Sequence, residues 1–369
     1  MSALFLSSVT LSHFRSHKRI ALEADARPVA IYGRNGVGKT NLLEAVSLFS
    51  PGRGMRRATA EQIARRPEAL GWKITGLLNR GSTQHELASQ SENTAARTVR
   101  IDGKAATQSE LGHLLRVLWL VPSMDRLWIE GTEGRRRFLD RMTLSFTPAH
   151  ADVSLAYEKA MRERNRLLKD QVRDSHWYLA LETQMAEAGI RVQANRMAAL
   201  ARLATAQQNA ETSFPAAALT LSQPETHLPD TAAELRQAFA DGRRQDLAAG
   251  RTLIGPHRSD LSGVYTAKGV SAKECSTGEQ KALLISLILA NARALAEDLG
   301  MAPIILLDEV AAHLDADRRA ALYDEICALG SQAWMTGTGA ELFEQLGNRA
   351  QYVEVTETSG MSAVARKEA

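Results

Sequence analysis

Apolar and polar positions divide this chain into three stretches. In the first, short β-branched and aromatic runs alternate with polar residues. Residues 4–9 and 20–22 read as strands, and Val29-Ala30-Ile31-Tyr32 reads as a short buried strand. Just beyond Thr40 the apolar positions take helical spacing through Val46, and Pro51 and Gly52 end that helix. Residues 72–78, 86–88 and 98–101 have the pattern of a small antiparallel sheet, with Asp102-Gly103 as a hairpin turn and Ser82 and residues 89–94 as polar loops. Residues 114–121 form the next buried-strand candidate, closed by Pro122.

From about Met124 the strand pattern stops. Residues 134–144, 152–169 and 177–210 carry amphipathic helical spacing with no strands to alternate with, the mark of an inserted helical arm. Helices packed on one common core are the other arrangement this spacing allows. Pro215, Pro224 and Pro229 mark a loop-rich return. The third stretch resumes apolar strands at residues 303–307 and 333–336. The expected fold is α/β: a P-loop ATPase head in two parts, residues 1–125 and 246–369, split by a helical arm at 126–245.

Between the strand at Val29 and the helix after Thr40 lies Gly33-Arg34-Asn35-Gly36-Val37-Gly38-Lys39-Thr40, followed by Asn41. It matches G-x-x-x-x-G-K-[ST], and strand, glycine loop and helix are the setting in which backbone N–H groups and a helix N-terminus surround phosphates. Lys39 is expected to reach the β- and γ-phosphates of ATP, and the Thr40 hydroxyl to bind Mg²⁺. Pro303-Ile304-Ile305-Leu306-Leu307-Asp308-Glu309 is an apolar strand ending in two acids. Asp308 is placed to hold Mg²⁺ and Glu309 to position or deprotonate the attacking water. Lys39 and Glu309 are thus the catalytic candidates.

Upstream, Ser276-Thr277-Gly278-Glu279-Gln280 opens a helix and resembles the signature motif of ABC-type ATPases. A Ser hydroxyl, a Gly N–H and a helix N-terminus together suit an anion, while an N-cap with an acidic first turn accounts for the same five residues. In ABC-type ATPases this motif caps the γ-phosphate held by a partner's P-loop, which makes ATP the bond of a dimer. Ala312-His313-Leu314-Asp315 resembles the dimer-contacting D-loop. Where many such enzymes carry a switch histidine, this chain has Thr336-Gly337-Thr338, so Thr336 and Thr338 are the substitutes to consider.

Charge adds little by its total and more by its distribution. The 369 residues carry a formal net charge of only +3. Arginines cluster, however, and Arg56, Arg57, Arg65, Arg66, Arg135 and Arg136 are candidates for DNA contact. Arg135 to Arg137 have Glu130 and Glu133 nearby as alternative partners. His13 and His17 lie in a strand-and-turn region, where a four-residue spacing does not make a metal pair; Arg15 and Lys18 beside them precede the P-loop strand closely. Two cysteines, Cys275 and Cys327, cannot build a metal cluster. No signal-peptide pattern opens the chain, and its longest apolar run, 282–290, is about half a membrane span. A cytoplasmic protein is expected.

Taken together, these motifs resemble the RecF family of bacterial DNA-repair ATPases, relatives of SMC proteins. The resemblance rests on residues 33–41, 50–57 and 122–140, on Tyr157-Glu158-Lys159 through Lys169, on Gly255-Pro256-His257-Arg258 and on 306–322. Ser123 and Glu133 depart from the pattern, which usually has an acid and a proline there. The resemblance implies an ABC-type head with a helical arm and no long coiled coil. It implies an ATP-dependent homodimer that clamps duplex DNA near junctions of single- and double-stranded DNA, loads RecA with RecO and RecR, and opens on hydrolysis. A transporter ATPase subunit shares the three motifs but needs a membrane-docking surface. A GTPase needs an N-K-x-D motif, which is missing, and a small-molecule kinase has no use for the Ser276 motif.

Overall fold

A computed structural model describes residues 3–66, 68–92, 95–223, 228–358 and 360–367. Pro224 and residues 93 and 94, placed in loops by the sequence pattern, lie outside them. The chain divides into two compact units, one of Met1–Asp125, Ala206–Ala216 and Ser276–Ala369, the other of Arg126–Thr205 and Ala217–Cys275.

The first unit opens with the hairpin β1 (Leu4–Phe14) and β2 (His17–Glu23), followed by β3 (Val29–Tyr32), α1 (Lys39–Ser47) and the short α2 (Ala60–Ile63). Next come β4 (Gly71–Arg80), β5 (Thr83–Glu92), β6 (Thr98–Ile101) and β7 (Lys104–Ala106), which with the hairpin make an antiparallel sheet of order β2-β1-β4-β5-β6-β7. Residues 89–92, expected as loop, continue β5. Their serines are buried because they have partners: Ser89 accepts from Arg97 Nε at 2.8 Å and Ser91 donates to the Ala95 carbonyl. Then α3 (Gln108–Leu114) precedes β8 (Val117–Leu120). The expected strand at 114–121 is shortened because Leu114 belongs to α3, which Thr107 and Glu110 start with a capping box.

The second unit contains α4 (Thr132–Phe146), α5 (His150–Lys169), most of α6 (Ser175–Gln208), β9 (Ala217–Ser222), α7 (Ala232–Asp241), α8 (Arg243–Ala249), β10 (Asp260–Tyr265) and β11 (Val270–Ser271). Its apolar core gathers Val153, Tyr157, Met185, Val192, Leu235 and Phe239. Residues 246–275, grouped by the sequence pattern with the C-terminal head, fall in this unit. β10 pairs with β9 on one side and β11 on the other, and Asp246 of α8 is ion-paired to Arg164 of α5. The unit is therefore helices plus a three-stranded antiparallel sheet.

The chain returns to the first unit with α9 (Thr277–Leu299), β12 (Ile304–Leu307), α10 (Ala316–Leu329), β13 (Ala333–Gly337), β14 (Gln351–Thr358) and β15 (Met361–Lys367). These complete a second sheet, β15-β14-β3-β13-β12-β8, parallel except for β15. Its central strands are buried on both faces, which explains their unbroken apolar runs. α1 packs against β1 of one sheet and β13 of the other, and Leu42, Leu43 and Val46 join Leu6, Leu11, Ile31 and Ile304 in one core. Because β3, β13 and β12 are adjacent and parallel, their carboxyl ends lie side by side, the edge where α/β sheets bind ligands.

Candidate functional site

The P-loop leaves the carboxyl end of β3 in a conformation that only glycine takes freely. Gly33 has φ 151°, and a Cβ there would lie 2.2 Å from the Val355 carbonyl oxygen of β14. Gly38 has φ 101°, and its Cβ would lie 2.5 Å from Ser16 Oγ and 2.8 Å from Ser362 Oγ. Gly38 is also the N-cap of α1 and supplies no side-chain acceptor. Glycine thus lets the loop backbone pack directly on β14 and on Ser16 and Ser362, while the space around Gly36 is open, and a loop of this kind leading into a helix N-terminus fits phosphate.

Lys39 is 4% exposed and folds back over the loop, donating to the carbonyls of Gly33 (2.7 Å) and Arg34 (2.9 Å). Burial lowers its ammonium pKa, while Glu309 and Asp308 pull it back up. At the end of β12, Asp308 is 6% exposed. Its Oδ1 accepts from Thr40 Oγ1 and from Thr336 Oγ1, both at 2.8 Å. The structure thus brings Thr40 and Asp308, expected from the sequence to share Mg²⁺, within one hydrogen bond. Their hard oxygen donors suit that ion. Glu309 follows at φ 55°, a left-handed conformation that costs a non-glycine residue about 1–2 kcal/mol. Its backbone N–H donates to Thr336 Oγ1 at 2.9 Å.

Behind the loop lies a polar layer that sequence motifs did not pick out. Asn41 Nδ2 donates to Ser16 Oγ at 2.9 Å, and Ser362 Oγ lies 2.8 Å from Ser16 Oγ. His17 is fully buried, with Nε2 3.1 Å from the Gly38 carbonyl. Glu44 of α1, 1% exposed, receives both Nε (2.9 Å) and Nη2 (2.6 Å) of Arg15. Arg15 is therefore tied to α1, while Lys18 is exposed. The available signal for this layer was the density of Ser, His and Arg between Ser12 and Lys18.

Ser276 is the N-cap of α9 and closes a capping box: its Oγ accepts from the Glu279 N–H, and Glu279 Oε2 accepts from the Ser276 N–H at 2.8 Å. Ser276, Thr277 and Gly278 are exposed, with open space around Gly278, at the start of a 23-residue helix whose body is buried. Thr338 is exposed, whereas Thr336 is 1% exposed.

The arginine candidates separate sharply. Arg56, Arg57 and Arg66 are exposed; Arg56 also reaches Asn41 Oδ1 at 3.1 Å. Arg65 is buried and donates to the carbonyls of Ser16 (2.7 Å) and Gly360 (3.4 Å). Arg135 holds Asp260 through two bonds of 2.7 and 3.0 Å, Arg136 donates to the Ser259 carbonyl, and Arg137 pairs with Glu133. Of the expected acids, Glu130 meets Arg135 through its carbonyl only. The three guanidinium groups of Arg65, Arg135 and Arg136 are thus committed to partners inside their own units.

Residues 5–363 match the family described as the RecF/RecN/SMC N terminal domain. Two relatives named DNA replication and repair protein RecF are each 47% identical over 363 residues. They come from Allorhizobium ampelinum and Rhizobium rhizogenes, and the match covers 95% of this chain and 97% of theirs. Among solved structures, one described as the recombination mediator protein RecF-ATP in the RecFOR pathway superposes with a TM-score of 0.80 at 22% identity, over 100% of both chains. An Smc head domain from Pyrococcus furiosus superposes at 0.57 with 17% identity, over 99% of this chain and 96% of that one. No helix among the described residues is long and apolar enough to cross a membrane. By sequence and by its ABC-type ATPase fold, this chain belongs to the RecF family.

Proposed function

We propose that this protein is a cytoplasmic DNA-repair ATPase whose ATP-bound form pairs with a second copy and holds duplex DNA beside a single-stranded gap. There it assists RecA loading together with RecO and RecR, and hydrolysis releases it. The repair role is supported by the names of its relatives. The chemistry is carried by one observation: Thr40, Asp308, Thr336 and Glu309 form a continuous hydrogen-bonded chain at the carboxyl ends of β3, β12 and β13.

In this reading the P-loop amides and Lys39 bind the phosphates of ATP, and Lys39 exchanges its bonds to Gly33 and Arg34 for phosphate oxygens. Thr40 and Asp308 are the residues that would hold Mg²⁺, which supplies charge neutralisation at the β- and γ-phosphates. Glu309 orients and deprotonates the attacking water. The exposed head of α9 offers its N-terminus at Gly278 to the nucleotide of a second copy, with the Ser276 hydroxyl exchanging its bond to Glu279 Oε2 for a phosphate oxygen, and Arg56, Arg57 and Arg66 offer exposed positive charge to DNA phosphates.

The test is retention of duplex DNA as a function of ATP and salt. Wild type is expected to retain DNA with ATP and to lose affinity as salt rises, as counterion release requires. Lys39→Ala should lose ATP-driven dimers and retention together. Glu309→Gln should bind ATP, accumulate dimers, and hydrolyse roughly 10²–10⁴-fold more slowly. No DNA binding at low salt would remove the clamp reading, and normal turnover in Glu309→Gln would remove Glu309 as the base.

A further inference from the structure

Thr336 stands where the chain lacks a switch histidine, and its surroundings give the hydroxyl two defined bonds. β13 runs between the P-loop strand β3 and the acid-bearing strand β12, in parallel register with both: Thr336 is opposite Ile31, and Leu307 is opposite Met335. Residue 336 therefore sits beside the first residue after β12, which is Asp308. The bond directions are fixed by chemistry. An ionised Asp308 has no proton to give, so the single Thr336 proton points to Asp308 Oδ1 at 2.8 Å. Its lone pair is then left for the Glu309 N–H at 2.9 Å.

Glu309 takes a left-handed backbone that glutamate does not favour, and this bond engages the amide of that very residue. On the other side, Thr40 and Thr336 donate to the same Asp308 oxygen. If Thr40 turns its oxygen to a metal ion, Thr336 remains the hydroxyl that fixes the carboxylate rotamer. A valine would fill the same space and supply neither bond, while a serine would supply both.

We propose that Thr336 is a positioning residue that sets the two acids as a pair, orienting Asp308 toward Mg²⁺ and holding the Glu309 backbone in its left-handed turn. This rests on the ATPase reading of the site for its catalytic consequence but not for the bond itself. The bland alternative is a buried strand threonine that satisfies its hydroxyl and sets nothing.

Two readouts separate them. The first is hydrogen exchange of the Glu309 amide in nucleotide-free protein, resolved to the residue. Thr336→Val should speed exchange at least tenfold, and Thr336→Ser should restore protection. The second is steady-state hydrolysis. Thr336→Val should lower kcat about tenfold to a hundredfold, the scale of a misplaced catalytic group. ATP affinity measured without metal should stay within twofold, the Mg²⁺ needed for half-maximal rate should rise, and Thr336→Ser should recover turnover. If the valine disturbs β13, Thr336→Ala reads the same quantities. Unchanged amide exchange and unchanged kcat in both the Val and Ala variants would overturn the proposal. Loss of kcat that serine fails to recover would point to packing and overturn it as well. Absence of ATP hydrolysis by the wild type overturns the underlying ATPase reading instead, and is told apart because the amide exchange still reports the Thr336 bond.

Discussion

His17 allows a quantitative test of how tightly the layer behind the P-loop is built. The ring is wholly buried, its Nε2 faces the Gly38 carbonyl, and its Nδ1 has no hydrogen-bond partner among the described residues. Protonation would bury a second N–H for which the fold supplies no acceptor among the described residues. Burial accordingly lowers the pKa from 6.5 to about 4; the Gly38 carbonyl opposes the shift and the nearby Arg65 charge adds to it. The sign follows from linkage. Between these two values the unfolded chain binds a proton that the folded chain refuses, so stability is full above pH 6.5 and falls as pH drops toward 4. At 1.36 kcal/mol per unit, the loss is about 2 kcal/mol by pH 5 and roughly 3 kcal/mol at its limit.

The measurement is urea unfolding at pH 7.5 and at pH 5, followed by tryptophan fluorescence, since Trp72 and Trp334 are both buried in the same unit as His17. His257 is also lowered to about 4 by burial and adds its own pH dependence. The comparison is therefore between wild type and His17→Gln, in which the His257 contribution cancels. Glutamine keeps a donor for Gly38 and removes the titration. The stability of wild type relative to the variant should drop by about 2 kcal/mol on going from pH 7.5 to pH 5. A difference independent of pH would refute the claim that His17 is held neutral behind the P-loop.

Two further outcomes follow from residues placed by the fold. Arg164, fully buried in the second unit, donates to Glu182, Asp246, Thr252 and the Phe239 carbonyl. Arg164→Met leaves two carboxylates buried, one of them still paired with Arg243, and should cost about 3–5 kcal/mol in chemical unfolding. Burial already raises the Asp246 pKa, opposed by Arg164, so the variant's deficit should shrink as pH falls and Asp246 takes up a proton; a deficit that grows with acidity would contradict this. Ser276→Arg should leave ATP affinity of the monomer near normal and abolish ATP-dependent dimers by light scattering. Loss of monomer affinity would mean that the α9 N-terminus serves its own nucleotide.

What the sequence revealed and what it hid have a common physical cause. The P-loop and the Asp308-Glu309 strand were legible because each encodes its geometry within a few consecutive residues: a both-faces-buried strand must be continuously apolar, and a left-handed turn selects glycine. The β9–β11 sheet was not legible. Its strands are short and half-exposed, and β9 meets β10 only after two intervening helices. The polar layer was hidden for the same reason, since Arg65 finds its Gly360 acceptor 295 residues away.

Charge clusters depend on the backbone that carries them. Successive helical residues point about 100° apart, so three arginines in a row on α4 cannot form one patch. Arg135 goes to Asp260, Arg136 to the Ser259 carbonyl and Arg137 to Glu133. A cluster in a loop is under no such rule. Arg53, Arg56 and Arg57 are all exposed on the segment that Arg97 pins from beneath, through the carbonyls of Leu48, Ser50 and Gly52. One half-buried arginine thus sets where several exposed ones are presented. If this protein grips DNA through that loop, Arg97→Met should weaken retention without removing any charge that DNA itself would touch. In a salt titration it should lower affinity while keeping a steeper slope than Arg56→Ala combined with Arg57→Ala, where about one unit of slope is lost per phosphate contact. Equal slopes for the two variants would place the DNA contacts elsewhere.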